Sequence, residues 1–211
     1  MSFTPKIVVL AGVNGAGKSS VAAEFLELKE SGIFNPDTIA RQLLSLHPNL
    51  TLPLANGHAW TMGRDLLEDA IARKIDYRFE TTLGGTTIPR LLAKAASSGH
   101  QIHLWFCGLN SPDLHLARVK KRVAQGGHDI PAGKIRERWD GSRKNLIRLL
   151  PHIHQLRIYD NSEEADFSVG EAPRPRLVLE MIEQKITAPA DLTLTPEWAQ
   201  PILTVALKMQ L

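Results

Sequence analysis

A single cysteine among 211 residues leaves no partner for an internal disulfide, a pattern that fits a reducing cytoplasm. That residue, Cys107, lies in the apolar run IHLWFCG and reads as an inert buried side chain. No stretch of 18 unbroken apolar residues occurs, so no membrane-spanning helix is expected. The opening MSFTPK has no basic segment followed by an apolar one and a cleavage site, so no signal peptide is expected and the expected location is cytoplasmic. Aromatic residues make up 6% of the chain, few enough to leave little for stacking single-stranded nucleic acid. His100 with His103, and His152 with His154, have no nearby cysteine or third ligand, so a structural zinc is not expected. Two signatures of nucleotide hydrolysis are missing as well. There is no N-K-x-D to specify guanine, and the most apolar strand ends in Gly108 where a Walker B strand would end in an acid.

What remains is a chain of ordinary globular composition, long enough for one domain with a core and a small appendage. The net charge is only +3, yet residues 118–148 carry ten Lys or Arg against three Asp or Glu, a local excess of +7. Such a cluster is either a solvated helix face or the wall of an anion site.

The segment KIVVLA (Lys6 to Ala11) is β-branched and apolar throughout, as expected of a strand buried on both faces of a parallel sheet. From Lys18, Val21, Phe25 and Leu28 recur at helical spacing, with Gly32 as a C-terminal cap. NPDTIARQLLSLHP predicts a short helix closed by Pro48. NGHAWTMGRDLLEDAIARK predicts a longer helix opening at Asn56, with Ala59, Met62, Leu66, Leu67, Ala70 and Ile71 on one stripe. Trp60, Phe25, Trp105 and Trp139 read as core. DYRFETT predicts a second strand, a helix is expected near residues 88–98, and QIHLWFCGL predicts a third strand. Ser111 and Pro112 open another helix as N-cap and first-turn residue. Gly126-Gly127 ends it. A lid-like loop and a helix stopped by Pro151 come next, then a fourth strand at QLRIYDN. ADFSVGEA and RLVLEMI suggest further strands or a hairpin. The expected class is α/β: three layers, a mostly parallel central sheet, helices on both faces and a lid segment around 118–145. Residues 1–187 would form the domain, and 188–211 an extension ending in a helix near 196–207.

Gly12-Val13-Asn14-Gly15-Ala16-Gly17-Lys18-Ser19 fits G-x-x-x-x-G-K-[ST] without a mismatch, with a strand before it and a helix after it. Glycines let successive N–H groups turn toward one anion, and the helix N-terminus adds its positive dipole. Lys18 is placed to reach the β and γ phosphates of a nucleoside triphosphate, and the Ser19 hydroxyl to ligate Mg²⁺. With hydrolase and switch signatures missing, a small kinase is favoured, whose phosphoryl acceptor is a bound molecule. It needs a base, positive charge at the moving phosphoryl group and a means of excluding water. Asp37 is the candidate base, with a turn-forming Asx residue as the alternative. Glu80, Thr81 and Thr82 end a strand, as a binding cluster or as a solvated turn. Arg118 and Arg122, one helical turn apart, would point at one anion, with Arg136, Arg138 and Arg143 following.

GVNGAGKSS, NPDTIAR, FETTLGG, LARVKKRVAQGGHDIP, RERW…SRKNL and YDNS together resemble the zeta toxin family of P-loop kinases, over Lys6 to Ser162. The resemblance implies a fold like that of nucleoside monophosphate and shikimate kinases. It also implies ATP and Mg²⁺ as cofactors, and the 3′-hydroxyl of the amino sugar in UDP-N-acetylglucosamine as acceptor. Gly12, Asn14, Gly15, Ala16, Gly17, Lys18, Ser19 and Ser20 would hold the nucleotide. Asp37 would be the base, with Arg41, Glu80 and Thr82 on the substrate. Arg118 matches the first lid arginine, with Arg122 a rival. At the second, three residues before Pro131, this chain has His128. Either Arg136 or another lid arginine substitutes there, or His128 itself donates a hydrogen bond. A separate small helical antitoxin is the partner the family implies. Two readings of other classes stay open: a nucleic-acid-binding or end-processing protein using the basic stretch, and a non-catalytic nucleotide sensor.

Overall fold

A computed structural model describes residues 4–24, 32–127, 129–163 and 175–211. Strand β1 (Lys6–Ala11) runs through a glycine-rich loop into helix α1 (Lys18–Glu24). Helix α2 (Pro36–Leu46) is capped by Asn35, whose side chain accepts hydrogen bonds from the Asp37 and Thr38 N–H groups. There follow α3 (Leu52–Arg73), β2 (Tyr77–Thr81), α4 (Thr87–Ser97) and β3 (Gln101–Gly108). Next come α5 (Pro112–Ala124), α6 (Ala132–Leu149), a 3-10 turn (Leu150–His152) and β4 (Gln155–Asp160). The chain ends with β5 (Arg176–Ile182), β6 (Lys185–Ala188) and α7 (Gln200–Lys208).

The strands make one sheet in the order β2-β1-β3-β4-β5-β6. β1 to β4 are parallel, and β5 and β6 are antiparallel, so the expected mostly parallel α/β architecture is the one found. Alternate strand residues enter opposite layers. Ile7, Val9, Phe106 and Ile158 join the large core under α3, α4, α6 and α7. Val8, Leu10, Trp105 and Tyr159 pack on the α1 side with Val21. Cys107 lies in that second layer, fully buried, where burial pushes its thiol up to about 12.

The structure corrects several sequence expectations. Helix α3 opens a turn before Asn56, at Leu52, because Thr51 is extended and Pro53 fits the first turn. Its buried stripe is Ala55, Ala59, Gly63, Leu67, Ala70 and Ile71. Met62 and Leu66 face outward, because the small residues let other elements approach closely: a Cβ on Gly63 would strike the Phe34 ring at 2.7 Å. Trp60 is not core either; it is 44% exposed. KITA, which carries no strong strand signal, pairs with β5 as β6. Helix α7 starts at Gln200, later than expected, after a turn containing Trp198. Phe25, Leu28 and ADFSVGEA lie outside the described residues, as does the stretch just before Gly32 on which its expected capping role rests.

The C-terminal residues pack on the main core. Trp198, Ala199, Ile202 and Ala206 share one cluster with the sheet. Trp198 also covers Gly108, whose Cβ would stand 2.2 Å from the indole. Trp198→Ala is therefore expected to cost about 3–5 kcal/mol in urea denaturation, the usual loss for emptying a buried indole site. Gly108→Val should destabilise through the same contact from the other side.

Burial pushes the His103 imidazole down to about 4, with Lys6 and His154 adding to it, and burial pushes His115 down to about 4. The unfolded chain then takes up protons near pH 6.5 that the fold refuses. Stability should fall as pH drops from about 6.5 toward 4, and chemical denaturation at several pH values reads the slope.

Candidate active site

The loop between β1 and α1 lies at the carboxyl ends of the parallel strands, where ligands bind in open α/β sheets. Gly12 holds φ at +146°, and a Cβ there would meet the Cys107 carbonyl oxygen at 2.4 Å. Only glycine lets the loop lie this close to β3. Lys18 is buried; its Nζ donates to the Gly12 carbonyl at 2.8 Å and stands 3.3 Å from Glu80 Oε1. Ser19 and Ser20 are exposed in the first turn of α1.

A cleft of about 600 Å³ opens beside Lys18 and Asn14. Glu80, Thr82 and Asp37, three of the candidate substrate residues, line it together. The chain places Asp37 there by a short parallel bridge, Phe34 to Phe79, which adds a rung to the sheet edge and ends beside Glu80. Asn35 takes the turn chemistry, capping α2 and donating from Nδ2 to Glu80 Oε2 at 2.8 Å. The Asp37 carboxylate is thereby left with no hydrogen-bond or ion-pair partner among the described residues.

The predicted arginines separate. Arg136 is exposed and tied to Asp113 at 2.6 Å on the outer face, away from the cleft. Arg138, two residues on, lines the cleft and donates from Nη1 to Asn14 Oδ1 at 2.7 Å. Two residues turn a helix by about 200°, so the pair must face opposite ways. The signal was present in the sequence: Arg138 is in phase with buried Ile135 and Ser142, and Arg136 is not.

Arg118 reaches across to the Glu163 carbonyl at 3.2 Å, and its Cβ abuts Gly15. Arg122 keeps Nε and Nη2 buried without a partner among the described residues, packed against Gly127. Neither Arg118 nor Arg122 lines the cleft, so the two do not converge on one anion there. Arg41 bonds the Asp37 carbonyl and Thr38 along its own helix and is also outside the cleft. His128 falls outside the described residues.

Sequence reasoning missed the outer wall. Asn56, Trp60 and Arg64 lie on one side of α3 facing the cleft, with the Arg64 guanidinium 5.4 Å from the Trp60 ring centre. Their four-residue spacing could have found them, had the apolar stripe been drawn through Ala55 and Ala59.

These groups fit a nucleoside triphosphate: a glycine-rich turn with the Lys18 ammonium at its mouth, and one arginine reaching in from α6. The Ser19 hydroxyl suits Mg²⁺, which commonly takes one or two protein ligands and completes its shell with phosphate and water.

The model of the zeta toxin family matches residues 2–168. An uncharacterised protein of Haemophilus influenzae is 31% identical over 134 residues, covering 64% of this chain and 92% of that protein. The structure of the PezAT chromosomal toxin–antitoxin system of Streptococcus pneumoniae superposes with a TM-score of 0.61 at 16% identity, covering 99% of this chain and 87% of that one. The AvrRxo1-ORF1:-ORF2 complex with ATP gives a TM-score of 0.66 at 14% identity, covering 96% of this chain. This chain spans only 64% of the length of the AvrRxo1 chain it matches. Those two likenesses carry the fold. Over most of its length, and through the loop and acidic cluster just described, the chain belongs to the zeta toxin family.

Proposed function

We propose that the chain is an ATP- and Mg²⁺-dependent kinase that moves the γ-phosphate of ATP to a hydroxyl of a small acceptor, a nucleotide sugar of the UDP-N-acetylglucosamine kind. Family membership supports the coarser part of this, a nucleotide-dependent kinase. One observation supports transfer to a hydroxyl: Asp37, whose carboxylate has no partner among the described residues, shares a cleft with the phosphate-loop lysine. Asp37 accepts the proton of the acceptor hydroxyl as its oxygen attacks phosphorus. Lys18 and Arg138 neutralise charge on the moving phosphoryl group, Arg138 taking the place proposed from sequence for Arg136. Glu80 and Thr82 orient the sugar ring. The Ser19 hydroxyl would hold Mg²⁺, which would supply positive charge to the transferring phosphoryl group.

The basic stretch does not favour a nucleic-acid track. Several of its cations are engaged within the protein: Lys134 with Glu137, Arg136 with Asp113, Arg143 with Asp140 and Arg138 with Asn14. PezAT is a toxin–antitoxin system, and an antitoxin protein is the partner we propose for this chain in turn.

Incubation with γ-labelled ATP and a panel of nucleotide sugars, nucleosides and phosphosugars tests the acceptor; label on none of them would refute the reading. Asp37→Asn is expected to slow transfer about 10²–10⁴-fold, the range of a lost general base, while nucleotide affinity holds. Arg138→Ala should lower kcat about 10²–10³-fold, as for the loss of one transition-state donor. Arg136→Ala should leave kcat within about twofold, because its guanidinium only joins a surface ion pair. Equal losses in both arginine variants would overturn the assignment of Arg138.

A further inference from the structure

Two side chains outside the phosphate-loop motif grip it from behind. His115, in the first turns of α5, sits with Nδ1 2.9 Å from the Asn14 carbonyl oxygen. Asn161, just past β4, donates from Nδ2 to the Ala16 carbonyl oxygen at 2.9 Å. Both side chains are buried. Asn161 is itself fixed, its own N–H bonding the Gly108 carbonyl at 3.0 Å.

A carbonyl oxygen can only accept, so the His115 Nδ1 carries the proton. Burial pushes the imidazole down to about 4, which keeps it a neutral Nδ1–H tautomer near neutral pH. The fit is close on both sides. A Cβ on Gly17 would stand 2.0 Å from Asn161 Nδ2, and one on Gly15 would stand 2.9 Å from the His115 carbonyl oxygen.

In a trans peptide the C=O of one residue and the N–H of the next point in opposite directions. Holding the Asn14 and Ala16 carbonyls outward therefore turns the Gly15 and Gly17 N–H groups to the other side of the loop. Neither of those N–H groups has an acceptor among the described residues, whereas the Ala16 N–H between them bonds Val13. Unpaired donors at alternate positions, facing away from two clamped carbonyls, are the makings of an anion cradle.

We infer that His115 and Asn161 are positioning residues for the nucleotide: by clamping alternate loop carbonyls they set the Gly15 and Gly17 amides toward the phosphates before any phosphate arrives. This rests on the nucleotide-binding part of the proposed function. It adds that affinity for the phosphate chain, more than for the base or the acceptor, depends on two residues that touch neither.

The test is equilibrium binding of ATP, inorganic tripolyphosphate and adenosine to parent and variants, with a thermal melt of each. Asn161→Asp keeps the shape but sets an acceptor against the Ala16 carbonyl; His115→Leu removes the donor; His115→Asn retains one close to the Nδ1 position. Asn161→Asp and His115→Leu are expected to weaken ATP and tripolyphosphate at least tenfold and adenosine less than threefold. His115→Asn should restore ATP affinity to within about threefold. Folded variants that bind ATP within twofold of the parent would overturn the inference, as would equal losses for all three probes. A parent that binds no ATP would instead refute the functional reading beneath it. Should the variants fail to fold, amide relaxation of the parent decides. Gly15 and Gly17 should show rigid-backbone order parameters, about 0.85, without nucleotide, and values below about 0.6 would overturn the clamp.

Discussion

The turn from Gly12 to Lys18 lies flush against the ends of three strands, and the site depends on that closeness. Gly12 donates its N–H to Thr81 at the end of β2, while its α-carbon rests on the Cys107 carbonyl of β3. Asn161, at the end of β4, reaches under Ala16. A side chain at Gly12 or Gly17 would lift the loop off this floor. The buried apolar strands are thus more than a core: their carboxyl ends form a flat platform on which main chain packs directly against main chain. Ordered donors for a phosphate follow from this packing, without a long side chain to be immobilised.

A second junction joins the acceptor side to the same loop. Asn145 of α6 donates to both the Leu83 and Gly85 carbonyls, each at 2.8 Å, and so fixes the turn after β2. That turn bends sharply, with Leu83 at φ +55° and its side chain fully buried. Helix α6 can lie on it only because Gly84 and Gly141 face each other; a Cβ on Gly141 would meet the Gly84 carbonyl oxygen at 2.6 Å. The same helix then delivers Arg138 to Asn14. One rigid helix therefore sets the distance between the Glu80–Thr82 segment and the phosphate loop.

Local chemistry made part of this readable in advance. The loop motif, the Ser111 cap, the four parallel strands and the polar strand end at Glu80, Thr81 and Thr82 all follow from short-range patterns. The errors came where a residue's direction depends on tertiary partners. Trp60 looked like core because it is apolar, but the stripe that packs inward on α3 is built of alanines and a glycine. Arg136 and Arg138 differ only in helical phase, and that phase is fixed by Ile135 and Ser142. Asn35 and Asp37 divide capping and cleft roles, and composition alone cannot tell which takes which. His115 carried no motif and Asn161 only its place in YDNS, with no role attached, since their partners are carbonyls 101 and 145 residues away in sequence.

The C-terminal segment bears on the site through the same end of β4. Asp160 Oδ1 accepts from the Ser162 hydroxyl and backbone N–H and stands 3.4 Å from Trp198 Nε1, while Oδ2 takes Arg176 at 3.3 Å. Arg176 in turn donates to the Leu194 carbonyl at 3.0 Å. One contact from the tail and one from β5 thus meet on the residue just before Asn161. The indole also fills the space above Gly108, whose carbonyl receives the Asn161 N–H. The last two dozen residues, remote from the phosphate loop in sequence and outside the span of the family match, consequently brace the backbone from which Asn161 reaches it. Losing that brace would free the strand end before it disturbed the loop, because the loop's remaining contacts come from β1, β2, β3, α5 and α6.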